Sequence, residues 1–265
     1  MNPPPPIVDA QLYPAALSDQ DLADLAFFGV KAAVVVAGDD LPAGSADDLF
    51  QHLRGLVVEE ARRLRHARIA PFSAVGIPGR RVPPKGLEAL VARLPELFEL
   101  GRVVALGTVG LFRGGAQEEH ALLAQLELAQ TLDMPVIVEL PARERLRILR
   151  RTLTLLRESG IRPERILVGG VDRASFRLVR AYGFWAGLTI HPARLQAEDA
   201  VRLIEQQGAS GLVLASGAGA GPSDLLALPR ALHLLEMAGI SSKIARRVSR
   251  DNALAFFDID RAALD

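Results

Sequence analysis

Short apolar runs alternate with longer amphipathic segments along almost the whole chain. The runs do not alternate polar and apolar residues, which is typical of parallel strands buried on both faces. The longer segments repeat apolar residues at helical spacing, and a glycine often follows where a helix should end. The predicted strands are residues 7–10, 32–37, 69–75, 103–106, 136–138, 166–168, 187–190 and 211–215. The predicted helices are residues 18–28, 46–65, 86–100, 117–132, 143–159, 173–182, 196–207 and 223–238.

Eight strand–helix units predict an α/β protein with a single (β/α)8 TIM-barrel domain. We expect this domain to span residues 7–265, after a proline-rich arm at residues 1–6 whose four consecutive prolines favour polyproline II. A doubly wound open sheet is the alternative, because it is built from the same units. No G-x-G-x-x-G sequence follows the first strand, which favours the barrel.

Charge and composition exclude several classes of protein. The 265 residues include 31 basic and 31 acidic side chains and no cysteine. A net charge near zero provides no basic field for non-specific nucleic-acid binding, and without cysteine there is no disulfide framework or thiolate metal site. The N-terminus lacks the pattern of a signal peptide, and no apolar run reaches the roughly 18 residues of a membrane span. We therefore expect a cytoplasmic protein that binds neither nucleic acid nor a membrane.

Polar side chains follow several of the predicted strands, and in a TIM barrel the C-terminal strand ends carry the chemistry. The candidates for catalysis are Glu139, His191 and Asp9. Each has a structural alternative: a hydrogen bond to neighbouring amides for Asp9, packing for His191, and an ion pair with a rim arginine for Glu139. Arg143 and Arg113 are examples of such rim arginines. The other expected pocket-lining residues are Gln11, Tyr13, Thr108, Asp172 and Ser216.

A glycine-rich segment follows the eighth predicted strand and precedes a predicted helix. Loops at this point of a TIM barrel often bind phosphate through backbone amides and a helix N-terminus. The expected anion-binding residues are Gly217, Gly219, Gly221, Ser223, Arg113 and Arg143. Further rim arginines are Arg80, Arg81, Arg173 and Arg194. The alternative is a flexible turn beside ordinary surface arginines.

Several segments in a fixed order carry a resemblance to a known family. They are IVDAQLYP at 7–14, VALGTVGL at 104–111, QLELA at 125–129, PVIVE at 135–139, WAGLTIHP at 185–192, ASGAGAGPSD at 215–224 and NALAFF at 252–257. With these segments the chain resembles the TatD-like family of metal-dependent TIM-barrel hydrolases, within the amidohydrolase superfamily. The resemblance covers nearly the whole chain. It implies a barrel that binds a divalent metal at its mouth and hydrolyses phosphoester bonds.

The resemblance fails at the positions where the family holds its metal. It assigns the ligand positions to Gln11, Tyr13, Thr108, Glu139, Gly170 and either Gly217 or Gly219. A hydrolytic metal needs about three ligands of the imidazole, carboxylate or thiolate type, and of these residues only Glu139 supplies one. We therefore expect no metal and no cofactor.

Three functions stay open at this point. The first is a non-catalytic binding or scaffold protein, a pseudoenzyme that recognises a protein partner or a small anionic ligand. The second is a hydrolase of phosphoester or other ester bonds with an atypical metal site or none. The third is a small-anion or phosphate-binding protein.

Overall fold

Eight parallel strands form one sheet whose spatial order follows their order in the chain. The computed structural model describes residues 5–38, 44–141 and 144–264. The strands are β1 (Ile7–Leu12), β2 (Val30–Val35), β3 (Ala70–Val75), β4 (Val103–Val109), β5 (Val136–Glu139), β6 (Ile166–Gly169), β7 (Trp185–Thr189) and β8 (Leu212–Ala215). A doubly wound sheet would reverse its strand order part-way, so the sequential order excludes the open-sheet alternative.

Backbone hydrogen bonds just beyond β8 bring the last strand back to the first. The N–H of Gly217 donates to the carbonyl of Gln11 at 3.1 Å, and the N–H of Tyr13 donates to the carbonyl of Ala218 at 2.9 Å. The sheet is therefore a nearly closed barrel, and the predicted single-domain TIM barrel is confirmed. Of the predicted proline-rich arm, residues 1–4 lie outside the described residues.

Helices follow the strands as predicted, with four differences. The predicted helix 86–100 is α-helical only over Leu87–Arg93 and continues as a 3₁₀ helix, Leu94–Glu99. The predicted helix 46–65 contains a π turn, Leu56–Glu60, between two helical segments, and the predicted helix 223–238 begins only at Ala227. The C-terminal segment, which had no predicted helix, contains two. The helices are α1 (Asp19–Phe27), α2 (Ala46–Gly55), α3 (Ala61–His66), α4 (Leu87–Arg93), α5 (Ala116–Thr131), α6 (Arg145–Glu158), α7 (Arg173–Ala181), α8 (Ala197–Gln207), α9 (Ala227–Met237), α10 (Ser242–Arg246) and α11 (Asn252–Phe256).

The C-terminal segment closes the end of the barrel opposite the strand C-termini. Phe256 and Phe257 are buried and belong to the same apolar cluster as alternate residues of the strands, such as Val8 and Val34. The ring of Phe256 packs against Trp185, at the start of β7, with the ring centres 5.6 Å apart. The barrel interior is thus filled from this end, which leaves the other end, where the strand C-termini lie, for a site inside the barrel.

The described residues include no helix with both the length and the apolar character needed to cross a membrane.

Candidate functional site

A cavity of 340 Å³ lies at the C-terminal end of the strands. Of the side chains expected there, Tyr13, Thr108 and Glu139 line it, together with Gly219 and Gly221. The expected residues that do not line it are Asp9, Gln11, Asp172, His191, Ser216, Gly217, Ser223 and Arg113. Two of the expected rim arginines, Arg80 and Arg194, also line it. Residues that sequence reasoning had not placed in a pocket complete its wall: Ala37, Gly38, Pro78, Gly79, Val109, Gly110, Leu111, Phe112, Leu140, Pro141 and Ala220.

Three positions that the resemblance assigned to metal ligands are linked directly by hydrogen bonds. The side-chain amide nitrogen of Gln11 donates to Oε2 of Glu139 at 2.5 Å and to the hydroxyl of Tyr13 at 3.1 Å. The amide oxygen of Gln11 accepts from the hydroxyl of Thr189 at 3.4 Å. The Gln11 amide therefore uses both its donors and its acceptor within the protein.

The carboxylate of Glu139 forms an ion pair with Arg194, which lies in the loop after β7. In the register of β5 and β6, Glu139 is the partner of Gly169, the residue before Gly170. Nη1 of Arg194 lies 2.7 Å from where a Cβ atom on Gly170 would be. A guanidinium group therefore fills the space beside the sixth strand where the resemblance placed a histidine ligand.

The expected ion pair of Glu139 with a rim arginine is confirmed, but the partner is Arg194 and not Arg113, one of the two examples given. Its backbone N–H donates to Glu118 at 2.8 Å, and its guanidinium carbon lies 5.7 Å from the centre of the Phe112 ring. Arg143 lies outside the described residues. The reason for the error is geometric: the loop after β7 turns back over the mouth, with the N–H of Arg194 donating to the carbonyl of His191 at 2.9 Å.

Arg145 brings a second guanidinium group close to Gly170, and sequence reasoning missed this residue. Its Nη1 lies 3.7 Å from Oδ2 of Asp172, and its Nη2 lies 3.3 Å from the Cβ position of Gly170. Burial lowers the pKa of Arg145; the carboxylates of Asp172 and Glu139 oppose this, and the charge of Arg194 adds to it. One signal was available in the sequence. A cation in the first turn of a helix opposes the helix dipole, so Arg145 at the start of α6 needs another explanation.

Asp172 has a local role at the start of α7. Its Oδ1 accepts from the backbone N–H of Ser175 at 2.8 Å, and the side chain of Ser175 closes a capping box. Burial acts to raise the pKa of this carboxyl, but the hydrogen bonds from Ser175 and the charge of Arg145 lower it overall. Capping of this kind stabilises a helix by roughly 1 kcal/mol.

Asp9 is completely buried and joins the ends of β1 and β8. Its Oδ1 accepts from the backbone N–H of Ser216 at 2.9 Å and of Gln11 at 3.2 Å, and its Oδ2 accepts from the hydroxyl of Ser216. Burial raises the pKa of Asp9 to about 6, although these hydrogen bonds act to lower it. Because its oxygens are used inside the wall, Asp9 does not reach the cavity.

His191 uses both of its ring nitrogens in contacts to the backbone. Nδ1 accepts from the N–H of Ala193 at 3.1 Å, so Nε2 carries the hydrogen and donates to the carbonyl of Ala220 at 3.1 Å. Burial, and then the nearby charge of Arg194, lower the pKa of His191. The ring is therefore neutral, and it ties the β7 loop to the glycine-rich loop.

The glycine-rich loop differs from the expected phosphate site. Its amides donate within the protein: Gly217 to Gln11, Ala218 to the hydroxyl of Ser216, Gly219 to the hydroxyl of Ser223, and Ala220 to Gly217. The following helix begins at Ala227, so the loop does not lead directly into a helix N-terminus. Gly217 and Gly219 thus offer no amide to an anion, whereas the anion-binding role expected for the rest of the loop stays a prediction.

The described part of the barrel mouth offers no ligand set that fits a divalent metal. Across residues 5–38, 44–141 and 144–264, no three His, Asp or Glu side chains converge as a ligand set. Glu139 and Asp172 each lie against a guanidinium, and the oxygens of Asp9 are taken by β1 and β8. A dication here would meet two positive charges with one carboxylate on the cavity wall, whereas metal sites need about three such ligands.

Comparisons with known proteins agree with this fold. No protein-family model matches the sequence. The chain is 27% identical over 253 residues to an uncharacterized metal-dependent hydrolase of Methanocaldococcus jannaschii, covering 95% of this chain and 99% of the relative. The crystal structure of a TatD-like protein from Archaeoglobus fulgidus matches with a TM-score of 0.80 and 25% identity, over 95% of this chain and 99% of the other.

A more distant structure shares the fold alone. It is the phosphotriesterase homology protein from Escherichia coli, solved with phosphate in its active site, with a TM-score of 0.67 and 14% identity, over 97% of this chain and 100% of the other. Fold and comparisons together define a single-domain TIM-barrel protein. Over 95% of its length the chain is similar to a TatD-like protein and to a metal-dependent hydrolase.

Proposed function

We propose that this TatD-like protein is a non-catalytic, ligand-binding barrel in which guanidinium groups take the place of a metal centre. The observation that carries the proposal is the position of Arg194, which pairs with Glu139 and lies against Gly170. Both are positions that the resemblance assigned to metal ligands. The cavity is retained, but its positive charge comes from the guanidinium group of Arg194 and not from a metal ion.

The side chains on the described wall of the cavity are insufficient to catalyse hydrolysis. A metal-dependent hydrolase lowers the pKa of a bound water to about 7, which produces its nucleophile. Glu139 is the one acidic residue on the described wall of the cavity, and its carboxylate is held by Arg194 and Gln11. General-base help alone supplies about 10²–10⁴-fold, against roughly 10⁶–10¹⁷-fold for enzymes.

A hydrolase with an atypical metal site is the second candidate. The relative from Methanocaldococcus jannaschii, which is described as metal-dependent, favours it. In that case Glu139 would leave Arg194 and act as a ligand, and the same measurements decide between the two functions.

The experiment combines metal analysis with a hydrolysis assay on protein purified without chelators. We expect substoichiometric metal, at a ratio that varies through purification. We also expect the wild type to hydrolyse bis(p-nitrophenyl) phosphate no faster than Glu139→Ala in the presence of Mg²⁺, Mn²⁺ or Zn²⁺. Stoichiometric metal at a constant ratio would overturn the proposal, as would a wild-type rate about a hundredfold above that of the variant.

A variant tests the role of the guanidinium directly. Arg194→Met removes the charge, keeps much of the side-chain volume and releases Glu139, so we expect it to bind Zn²⁺ more tightly than the wild type in calorimetry. Arg177→Met, on the exposed surface of α7, is the matched control and should bind Zn²⁺ as the wild type does. Equal Zn²⁺ binding by all three proteins would show that Arg194 does not keep a cation out.

A further inference from the structure

A groove separates α7 from α8 on the outer wall of the barrel. Its volume is 460 Å³, against 340 Å³ for the mouth cavity, and the two have no lining residue in common. Arg173, which the sequence had suggested as a rim arginine of the mouth, lines this groove instead. The lining residues are Arg173, Ala174, Phe176, Arg177, Leu203, Gln206 and Gln207.

The floor of the groove is apolar and its rim is polar. Phe176 of α7 and Leu203 of α8, which form the floor, are only 5% and 4% exposed. Two arginines of α7 and two glutamines of α8 form the rim, and all four are exposed. The groove therefore offers a narrow apolar base with charged groups on one side and carboxamide groups on the other.

The two arginines on the rim have no partner within the part of the chain that the structure describes. Arg173 and Arg177 form neither an ion pair nor a side-chain hydrogen bond there. Other arginines of the same two helices are engaged: Arg180 donates to a backbone carbonyl at 2.7 Å, and Arg202 pairs with Asp199 at 3.5 Å. The described lining contains no acidic residue, so it carries two positive charges without a counter-charge.

These charges determine what kind of surface can cover the groove. An apolar or basic surface would bury two guanidinium groups without a counter-charge, which is strongly unfavourable. An acidic surface instead gives each guanidinium a charge-assisted hydrogen bond. A single exposed ion pair contributes little, whereas a larger partner also excludes water from the floor. The complementary occupant is therefore an acidic segment of another protein.

The spacing of the two arginines matches an extended chain. Arg173 and Arg177 are four residues apart on α7, which separates them by about 6 Å along the helix axis. Side chains at positions i and i+2 of an extended segment lie on one face, about 7 Å apart. Two carboxylates with this spacing therefore meet the two guanidinium groups at the same time.

The two glutamines favour the same conformation of the partner. The carboxamide groups of Gln206 and Gln207 each carry donors and an acceptor, and neither has a hydrogen bond to the described residues. An extended segment has free backbone N–H and C=O groups, whereas a helix uses most of these groups itself. An extended segment can therefore pair its backbone with the glutamines, and a helix cannot.

We infer that the groove between α7 and α8 binds an extended acidic segment of a partner protein, with two carboxylates, two residues apart, on Arg173 and Arg177. The backbone of the segment pairs with Gln206 and Gln207. The inference does not depend on the proposed function, because the groove lies on the outer wall and shares no residue with the mouth cavity.

The test measures the binding of three fluorescein-labelled peptides by anisotropy at low ionic strength. ESESESES has glutamates at alternate positions, EESSEESS has the same composition and charge but no two glutamates two residues apart, and QSQSQSQS is neutral. We expect ESESESES to bind about threefold or more tightly than EESSEESS, and QSQSQSQS not to bind. Equal affinity for the two acidic peptides would overturn the inference, as would no binding of either.

Matched variants identify the residues that hold the carboxylates. Arg173→Met and Arg177→Met should each weaken the Kd for ESESESES about threefold or more. Arg150→Met is the control, because Arg150 is an exposed arginine of α6 that does not line the groove, and its Kd should stay within about twofold of the wild type. An equal loss in all three variants would show that binding follows net charge alone, which contradicts the inference.

An oligothymidylate distinguishes a protein partner from a nucleic acid. If it binds more tightly than ESESESES and Arg173→Met removes this difference, the groove recognises nucleic acid and the inference is wrong. We expect weaker binding of the oligothymidylate, because its phosphates offer no backbone amide to Gln206 and Gln207. The groove variants should leave Zn²⁺ binding at the mouth unchanged, so a failure of this inference leaves the proposed function as it stands.

Discussion

Nη1 of Arg194 lies 2.7 Å from the position that a Cβ atom on Gly170 would take. Gly170 also has a φ of +65°, a backbone conformation that disfavours residues with a side chain. The glycine at the end of β6 therefore leaves the space that the guanidinium group of Arg194 occupies. A histidine at position 170 and Arg194 in its present place exclude each other sterically.

The first prediction follows from this mutual exclusion. We expect Gly170→Ala to lower the free energy of unfolding by about 1–3 kcal/mol, because it adds left-handed backbone strain and displaces the end of the Arg194 side chain from its place beside Glu139. In an Arg194→Ala background the same change should cost less, since only the backbone strain stays. Urea unfolding of the four proteins of this cycle gives the coupling. Additive costs would show that the two residues do not compete for space.

The second prediction concerns Glu118, whose carboxylate accepts three consecutive backbone N–H groups of the β4–α5 loop. Glu118→Ala leaves these partly buried donors without their acceptor, so we expect a loss of about 1–3 kcal/mol in urea unfolding. Glu119→Ala is the matched control one residue away, because it removes an ion pair with Arg151 at the surface. Such pairs contribute about 0–1 kcal/mol. Equal losses in the two variants would contradict the anchoring role of Glu118.

The strands were predictable from the sequence because each is an apolar run buried on both faces. The predicted bounds of all eight lie within three residues of those in the structure. The start of α9 was not predicted correctly, because in the sequence Ser223 resembles a residue that caps a helix N-terminus. Its hydroxyl instead accepts from the N–H of Gly219 at 3.1 Å, and Asp224 accepts from the N–H of Leu226 at 2.9 Å. These side chains stabilise the loop, so the helix begins four residues later.

The composition of the site was harder to predict than its location. The rule that functional groups lie at the C-terminal strand ends correctly predicted Glu139, Thr108 and Tyr13 on the cavity wall. For Asp9 the structure shows the structural alternative, hydrogen bonds to neighbouring amides. The sequence could not show that both ring nitrogens of His191 contact the backbone, because that depends on the path of two loops. The contact of Arg194 with Glu139 joins residues 55 positions apart in sequence, through a loop whose path no local pattern specifies.

The third prediction compares two glycines in the loop after β8. A Cβ atom on Gly219 would overlap the carbonyl oxygen of Tyr13, whereas one on Gly221 would meet nothing within 4 Å. Both have positive φ, +90° and +76°. Gly221→Ala should therefore cost only the backbone strain, about 1–2 kcal/mol, and Gly219→Ala should cost more. Thermal unfolding of both variants measures the difference, and equal melting temperatures would contradict the close approach of Gly219 to Tyr13.

The last prediction concerns the pH dependence of stability. Burial raises the pKa of Asp9 from 3.8 in a model peptide to about 6 in the folded protein. Between these two values the folded protein binds a proton at Asp9 that the unfolded chain has released, so the free energy of unfolding falls as the pH rises. The favourable contribution of the protonated carboxyl is fully present below about pH 4 and is lost as the pH passes 6.

An Asp9→Asn variant isolates this effect, because asparagine fits the same space and does not titrate. We expect the stability of the wild type relative to Asp9→Asn to fall by about 2–3 kcal/mol between pH 4 and pH 7, since one pKa unit corresponds to 1.36 kcal/mol. The asparagine alters the hydrogen bonds with Ser216, but that offset does not depend on pH. Urea unfolding of both proteins at several pH values gives the difference, and a constant difference across this range would show that Asp9 ionises in the folded barrel as easily as in the unfolded chain.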